Sequence, residues 1–157
     1  MTKTNAMRQL DVAGISYKAL EYECDESDLS GTTVAAKIGL PCEMVFKTLT
    51  AKGDKTGLCV FCIPADKELD LKKAAKHSGN KRVELLPVKE LLGATGYIRG
   101  GCSPIGMKKS YPTYFDETLI LFEEITVSAG VRGCQLLLNA EKLLKFLNAK
   151  ECDLTME

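Results

Sequence analysis

The 157-residue chain has no tryptophan and a single histidine, His77, and its 21 Lys and Arg are matched by 21 Asp and Glu. One imidazole leaves the usual nucleophilic triads without an assignable base, and no GxSxG elbow is present. The charge balance produces no overall field for a polyanion, so any nucleic-acid contact must rest on local basic patches. No apolar run approaches the roughly 20 residues that span a bilayer. Residues 1–8 lack the apolar core of a signal peptide, which predicts a cytoplasmic protein without membrane contact.

Cysteine is plentiful but odd in number, seven in all. In a reducing cytosol such residues serve as small hydrophobes and free thiols. The one CxxC, Cys59-Val60-Phe61-Cys62, falls in a strand-like run, where residues three apart face opposite sides. With no second CxxC, neither a zinc site nor any other cofactor is expected. Gly53-Asp54-Lys55-Thr56-Gly57 lacks the spacing of a phosphate-binding P-loop.

What is present fits one globular domain over residues 1–157, long enough to bury roughly 68–70% of its unfolded surface. Thr4 as N-cap and Gly14 as stop predict a first helix, and alternation from Ile15 to Tyr22 predicts a strand. A helix is expected over 33–38, ended by Gly39-Leu40-Pro41. Two apolar runs, 44–51 and 58–63, flank a polar, glycine-containing loop and read as a hairpin. Residues 69–78 and 87–92 are helical in pattern. Strand-like stretches follow at 95–99, 113–115, 125–128 and 134–138, and a last helix at 141–147. Strands outnumber helices without βαβ alternation, which predicts an α+β fold around a mixed, barrel-like sheet with flanking helices.

Three features could carry chemistry. In Val45-Phe46-Lys47-Thr48-Leu49, alternation puts Lys47 on one strand face with Val45 and Leu49, a charge where a core side chain is expected. Position alone also allows an edge-strand lysine with its stem on apolar surface and its head in water. Gly100-Gly101-Cys102-Ser103-Pro104-Ile105-Gly106 is a shaped loop whose backbone N–H groups could turn toward a ligand, or simply a tight turn. Ser128-Ala129-Gly130-Val131-Arg132-Gly133 is a second glycine turn, readable as a plain hairpin.

Taken together, the Lys47 segment, the Gly-Gly-x-Ser-Pro loop and the Ser128-x-Gly130-x-Arg132-Gly133 turn resemble the YbaK family in their order and approximate separations. That family comprises trans-editing aminoacyl-tRNA deacylases similar to the editing domain of bacterial prolyl-tRNA synthetase. The likeness extends through Leu69-Asp70-Leu71-Lys72-Lys73 and Thr95-Gly96-Tyr97, nearly the whole chain. It implies the barrel-like mixed sheet, with Lys47 as the key lysine and Gly100 to Pro104 as the pocket loop. It further implies pocket roles for Tyr22, Thr48, Gly100, Gly101, Cys102, Ser103, Pro104 and Ser128, and for Gln135, which stands where some members carry an acid.

The implied reaction is hydrolysis of mischarged tRNA, above all cysteinyl-tRNA(Pro), in which the substrate's own thiol attacks the ester. Lys47 would then fix the terminal nucleotide or favour developing negative charge. Partners implied are the aminoacylated acceptor end of tRNA and prolyl-tRNA synthetase; Lys108 and Lys109, which flank the glycine-proline loop, are expected by their position to meet the acceptor end at the pocket mouth. Alternatives are another specificity such as alanyl-tRNA(Pro), a non-catalytic tRNA-binding module, and a thiol-redox protein built on the CxxC.

Overall fold

The computed structural model describes residues 2–157. Helix α1 (Asn5–Ala13) starts at Thr4, whose Oγ1 accepts the Met7 N–H at 3.2 Å, and ends at Gly14 with φ 73°. It buries Ala6, Met7 and Leu10, the i, i+1, i+4 stripe of an amphipathic helix. There follow β1 (Tyr17–Glu21), α2 (Gly31–Ile38), the hairpin β2 (Phe46–Gly53) and β3 (Gly57–Pro64), and α3 (Leu71–Ser78). The chain continues through β4 (Val83–Leu85), α4 (Val88–Thr95), β5 (Thr113–Asp116), β6 (Glu124–Ser128), β7 (Cys134–Asn139), α5 (Ala140–Leu147) and β8 (Lys150–Cys152).

The architecture is mixed α+β, with two open sheets ordered β1-β7-β6 and β4-β2-β3-β5-β8. Pairing is antiparallel except for the parallel ladders β3–β5 and β5–β8. A parallel bridge between Val45 and Thr126 joins the sheets at one corner. The strands therefore do not close into one barrel.

One apolar cluster, including Leu10, Phe46, Phe115, Ile125, Leu136 and Leu143, packs between the sheets and helices α1 and α5. A second, including Phe61, Ile63, Ala74, Val83 and Leu154, lies under α3 on the opposite face of β3. Cys62 belongs to the first cluster and Cys59 to the second, so the CxxC is split by the pleat. All seven cysteines are free.

Three local expectations change. Residues 95–99 are not a strand. Helix α4 runs on through Thr95, whose Oγ1 donates to Leu91 O at 2.8 Å, and Gly96 at φ 87° caps it. The β-forming Thr and Tyr of this stretch are overruled by that local cap. Strands β4 and β8 are three residues each and carry charge, as in Lys150-Glu151-Cys152, which is too short a run for apolar alternation to announce a strand.

Candidate active site

The site arises where β2 changes partners. At its start Val45 bridges Thr126 beside β6, and from Thr50 onward the strand bonds toward β4, with Leu86 N–H donating to Thr50 O at 2.9 Å. Between these points the strand edge opens onto a cleft of about 410 Å³. That is a volume suited to a nucleoside-sized ligand.

The Ala65 N–H bonds Val45 O at 2.7 Å on the β3 side, whereas Thr50 O faces β4. Register is unbroken from Phe46 to Gly53, so odd residues turn their main chain to β3 and even residues turn theirs outward. The N–H and C=O of Thr48 therefore point into the cleft.

Both faces of this edge line the cleft, Val45, Lys47 and Leu49 on one and Phe46, Thr48 and Thr50 on the other. Lys47 is half-buried, and its Nζ donates to Ala65 O at 3.3 Å. Burial lowers its pKa, while the charges of Glu68 and Asp66 pull it part of the way back. Because β2 is flanked by β3 throughout and by β6 and β4 in turn, Lys47 stands in an interior gap rather than on an outer edge strand.

Helix α2 brings its first turn to the same cleft, through Ser30, Gly31 and Val34. The close approach needs Gly31, since a Cβ there would lie 2.9 Å from Ala65 Cβ. Of the glycine loop, Gly100 and Cys102 line the cleft. Gly101, Ser103 and Pro104 are buried behind it, and Ser103 Oγ accepts the Ile105 N–H at 3.2 Å. Their contribution here is to the loop's path.

That path is locked to the β6–β7 turn. Arg132 Nε donates to Arg99 O at 2.9 Å, and a Cβ on Gly101 would meet the Val131–Arg132 backbone at 3.2 Å. Ser128 lines the cleft while its Oγ accepts the Gly130 N–H at 3.1 Å. Gln135 also lines it. Its Oε1 accepts from Thr126 Oγ1 at 3.2 Å, which leaves the amide NH₂ as its donor for other contacts.

Tyr22 does not line the main cleft; it sits in a small adjoining recess that shares Leu29, Val34 and Gly100. Lys108 and Lys109 are exposed and outside the lining, and Lys108 Nζ lies 3.5 Å from Gly93 O. Sequence reasoning missed Thr50, Arg99, the start of α2 and the apolar wall of Leu85, Leu86, Val88 and Leu91. Thr50 was the recoverable one, being the next step in the Phe46, Thr48 alternation.

Among the described residues, the cleft lining holds two cations, Lys47 and Arg99, and neither a carboxylate nor an imidazole. Its one thiol is a poor nucleophile, because burial pushes Cys102 up to about 11, with the Thr50 and Thr95 hydroxyls acting against it.

Comparison with solved structures places this two-sheet frame in a known class. A structure titled "Crystal structure of a putative trans-editing enzyme for prolyl tRNA synthetase" superposes with TM-score 0.84 at 24% identity, covering 99% of this chain and 100% of that one. A family model described as "Aminoacyl-tRNA editing domain" matches residues 30–146, a span that contains the whole lining except Leu29. The chain belongs to the aminoacyl-tRNA editing domain family.

Among its relatives is "Putative Cys-tRNA(Pro)/Cys-tRNA(Cys) deacylase EbsC" of Enterococcus faecalis, 49% identical over 98% of this chain and 93% of that protein. A proline–tRNA ligase of Streptomyces griseus is 32% identical over 62% of this chain, corresponding to 17% of the ligase.

Proposed function

We propose that the protein is a trans-editing deacylase that hydrolyses mischarged aminoacyl-tRNA, most specifically cysteinyl-tRNA(Pro), and so protects translational fidelity. The observation that carries this is the lining itself: cations and main-chain polar groups around a nucleoside-sized cleft, with no carboxylate, imidazole or activated thiol among the described lining residues. Such a site suits a substrate that brings its own nucleophile.

In the proposed reaction the cysteinyl thiolate attacks its own ester carbonyl. A C–S bond forms, the C–O bond to the ribose breaks, and the departing ribose oxygen takes up a proton. The small thiolactone released is then hydrolysed by water. Closing that ring is slow unless thiol and carbonyl are held near attack geometry, which the cleft supplies by binding. Lys47 steadies the negative charge that develops, or the nucleotide phosphate beside it. Main-chain N–H groups of Thr48, Gly100 and Cys102 are the available oxyanion donors, that of Gly101 being spent on Ile98 O at 2.9 Å. Editing has a physical motive, since a pocket separates small side chains by only about 1–3 kcal/mol.

The same reading treats residues 1–157 as one domain and the bridged sheets as an opened barrel. It has the protein work in the cytoplasm beside prolyl-tRNA synthetase, with the aminoacylated acceptor end as its ligand. It needs no metal or cofactor.

Incubation with cysteinyl-, alanyl- and prolyl-tRNA(Pro) is the direct test. Ester loss is expected from the cysteinyl form and little from the prolyl form. Preferred cleavage of alanyl-tRNA would shift the specificity, and cleavage of none would remove the assignment. Mass spectra taken during turnover should show no acyl adduct on Cys102; such an adduct would replace substrate-thiol attack by enzyme-thiol attack.

A further inference from the structure

Thr50 is 5% exposed, and its Oγ1 is the buried side-chain polar atom among the described residues that has no hydrogen-bond partner. It lines the cleft on the Thr48 face of β2, beside Cys102, where the apolar wall of Leu86 and Leu91 closes in. The neighbouring hydroxyls are already engaged: Thr48 Oγ1 takes the Cys62 S–H at 3.8 Å, and Thr95 Oγ1 donates to Leu91 O. Cys102 is close enough for the Thr50 hydroxyl to act on its thiol, but a thiol is a weak partner and the contact falls short of ordinary hydrogen-bond distance and angle.

A buried hydroxyl left unpaired is costly, which makes it a candidate for pairing with a ligand. The ligand's shape decides which part arrives there. In aminoacyl-tRNA the amino-acid side chain is the free tip, while ribose, base and phosphate lead back to the tRNA body outside. Thr50, a lining residue whose hydroxyl is buried away from solvent, is therefore placed to meet the tip rather than the exposed nucleotide.

We propose that Thr50 Oγ1 is the specificity-determining group of the cleft, hydrogen-bonding the thiol or hydroxyl of the aminoacyl side chain and disfavouring an alkyl group of the same size. This rests on the deacylase reading and deepens it by naming what reads the side chain. Selection then operates twice, once in binding at Thr50 and once in chemistry through the thiol's nucleophilicity.

The test uses non-hydrolysable analogues, 3′-aminoacylamino-3′-deoxyadenosines bearing cysteinyl, seryl or 2-aminobutyryl groups, titrated calorimetrically into the whole protein. The 2-aminobutyryl group replaces SH by CH₃ at nearly constant shape. Wild type should bind the cysteinyl and seryl analogues roughly 3- to 10-fold more tightly than the 2-aminobutyryl one, the worth of one neutral hydrogen bond. Thr50→Val should abolish or invert that ratio, and Thr50→Ser should restore it.

Thr50→Val should also melt no lower than wild type without ligand, because it removes an unpaired hydroxyl at constant shape. Unaltered discrimination in Thr50→Val, or none in wild type, overturns the assignment of Thr50, as does a lowered melting point with selectivity intact. A wild type that neither deacylates cysteinyl-tRNA(Pro) nor binds its analogue removes the deacylase reading, a different result from a working deacylase indifferent to the side chain.

Discussion

Lys47 illustrates how a single residue can be kept against its own stability. Its ammonium is half-buried, anchored by one carbonyl, and its lowered pKa is a statement that the fold disfavours the charge. Between that lowered value and the ordinary 10.5 the native state binds fewer protons than the unfolded chain, so stability rises with pH across that window. Lys47→Met should therefore melt at or above the wild-type temperature at neutral pH. Its advantage should shrink as pH climbs toward 10.5, which melts at about pH 7 and about pH 10 would show. Deacylation by the same variant should fall by about 10²–10³-fold, the usual loss on removing one charge-stabilising group. Undiminished activity would take Lys47 out of the reaction.

Two loops, each rich in glycine, act as one element because they touch. Gly130 has φ 98°, and a Cβ on it would come 2.9 Å from the Tyr97 ring. Tyr97 is held in turn by its OH bond to Ile105 O. Gly130→Ala should thus cost about 1–2 kcal/mol through backbone strain alone. At this chain length that is a drop of several degrees in melting temperature. Because the turn and the Gly100 loop share Arg132, the variant should also raise KM for aminoacyl-tRNA. A variant as stable as wild type would show that the turn has more slack than its close packing suggests.

On the scale of the whole molecule, equal numbers of acids and bases mean that tRNA is held locally and weakly. The basic residues of α3 are only partly available, since Lys73 is tied to Asp153 and to Thr155 O. Lys108 and Lys109 are exposed on the segment leading from the glycine loop. Replacing both by Ala should raise KM, spare kcat, and flatten the dependence of log KM on log salt by roughly 0.7 for each phosphate no longer neutralised. A double mutant with the wild-type salt dependence would move the tRNA-binding surface elsewhere, Arg99 at the cleft mouth being the next place to look.

Helix α1, the β2–β3 hairpin, α3, α5 and the β6–β7 turn were legible in the sequence because caps, glycine stops and apolar periodicity are local signals. Lys47 was legible for a related reason: a charge in an apolar alternation breaks a short-range pattern. The resemblance of its surrounding motifs then supplied the family, which sequence separation alone can carry. What tertiary structure alone decided is which residues share a space. That β2 leaves β6 before it joins β4, opening an edge between them, depends on pairings between strands tens of residues apart. Ser103 and Cys102 are neighbours in the chain, yet one is buried behind the loop and the other faces the cleft. Thr50 looks like any strand threonine until the fold buries its hydroxyl without a partner. Local sequence sets what each segment can form; long-range packing sets which side chains meet, and the site is made by the latter.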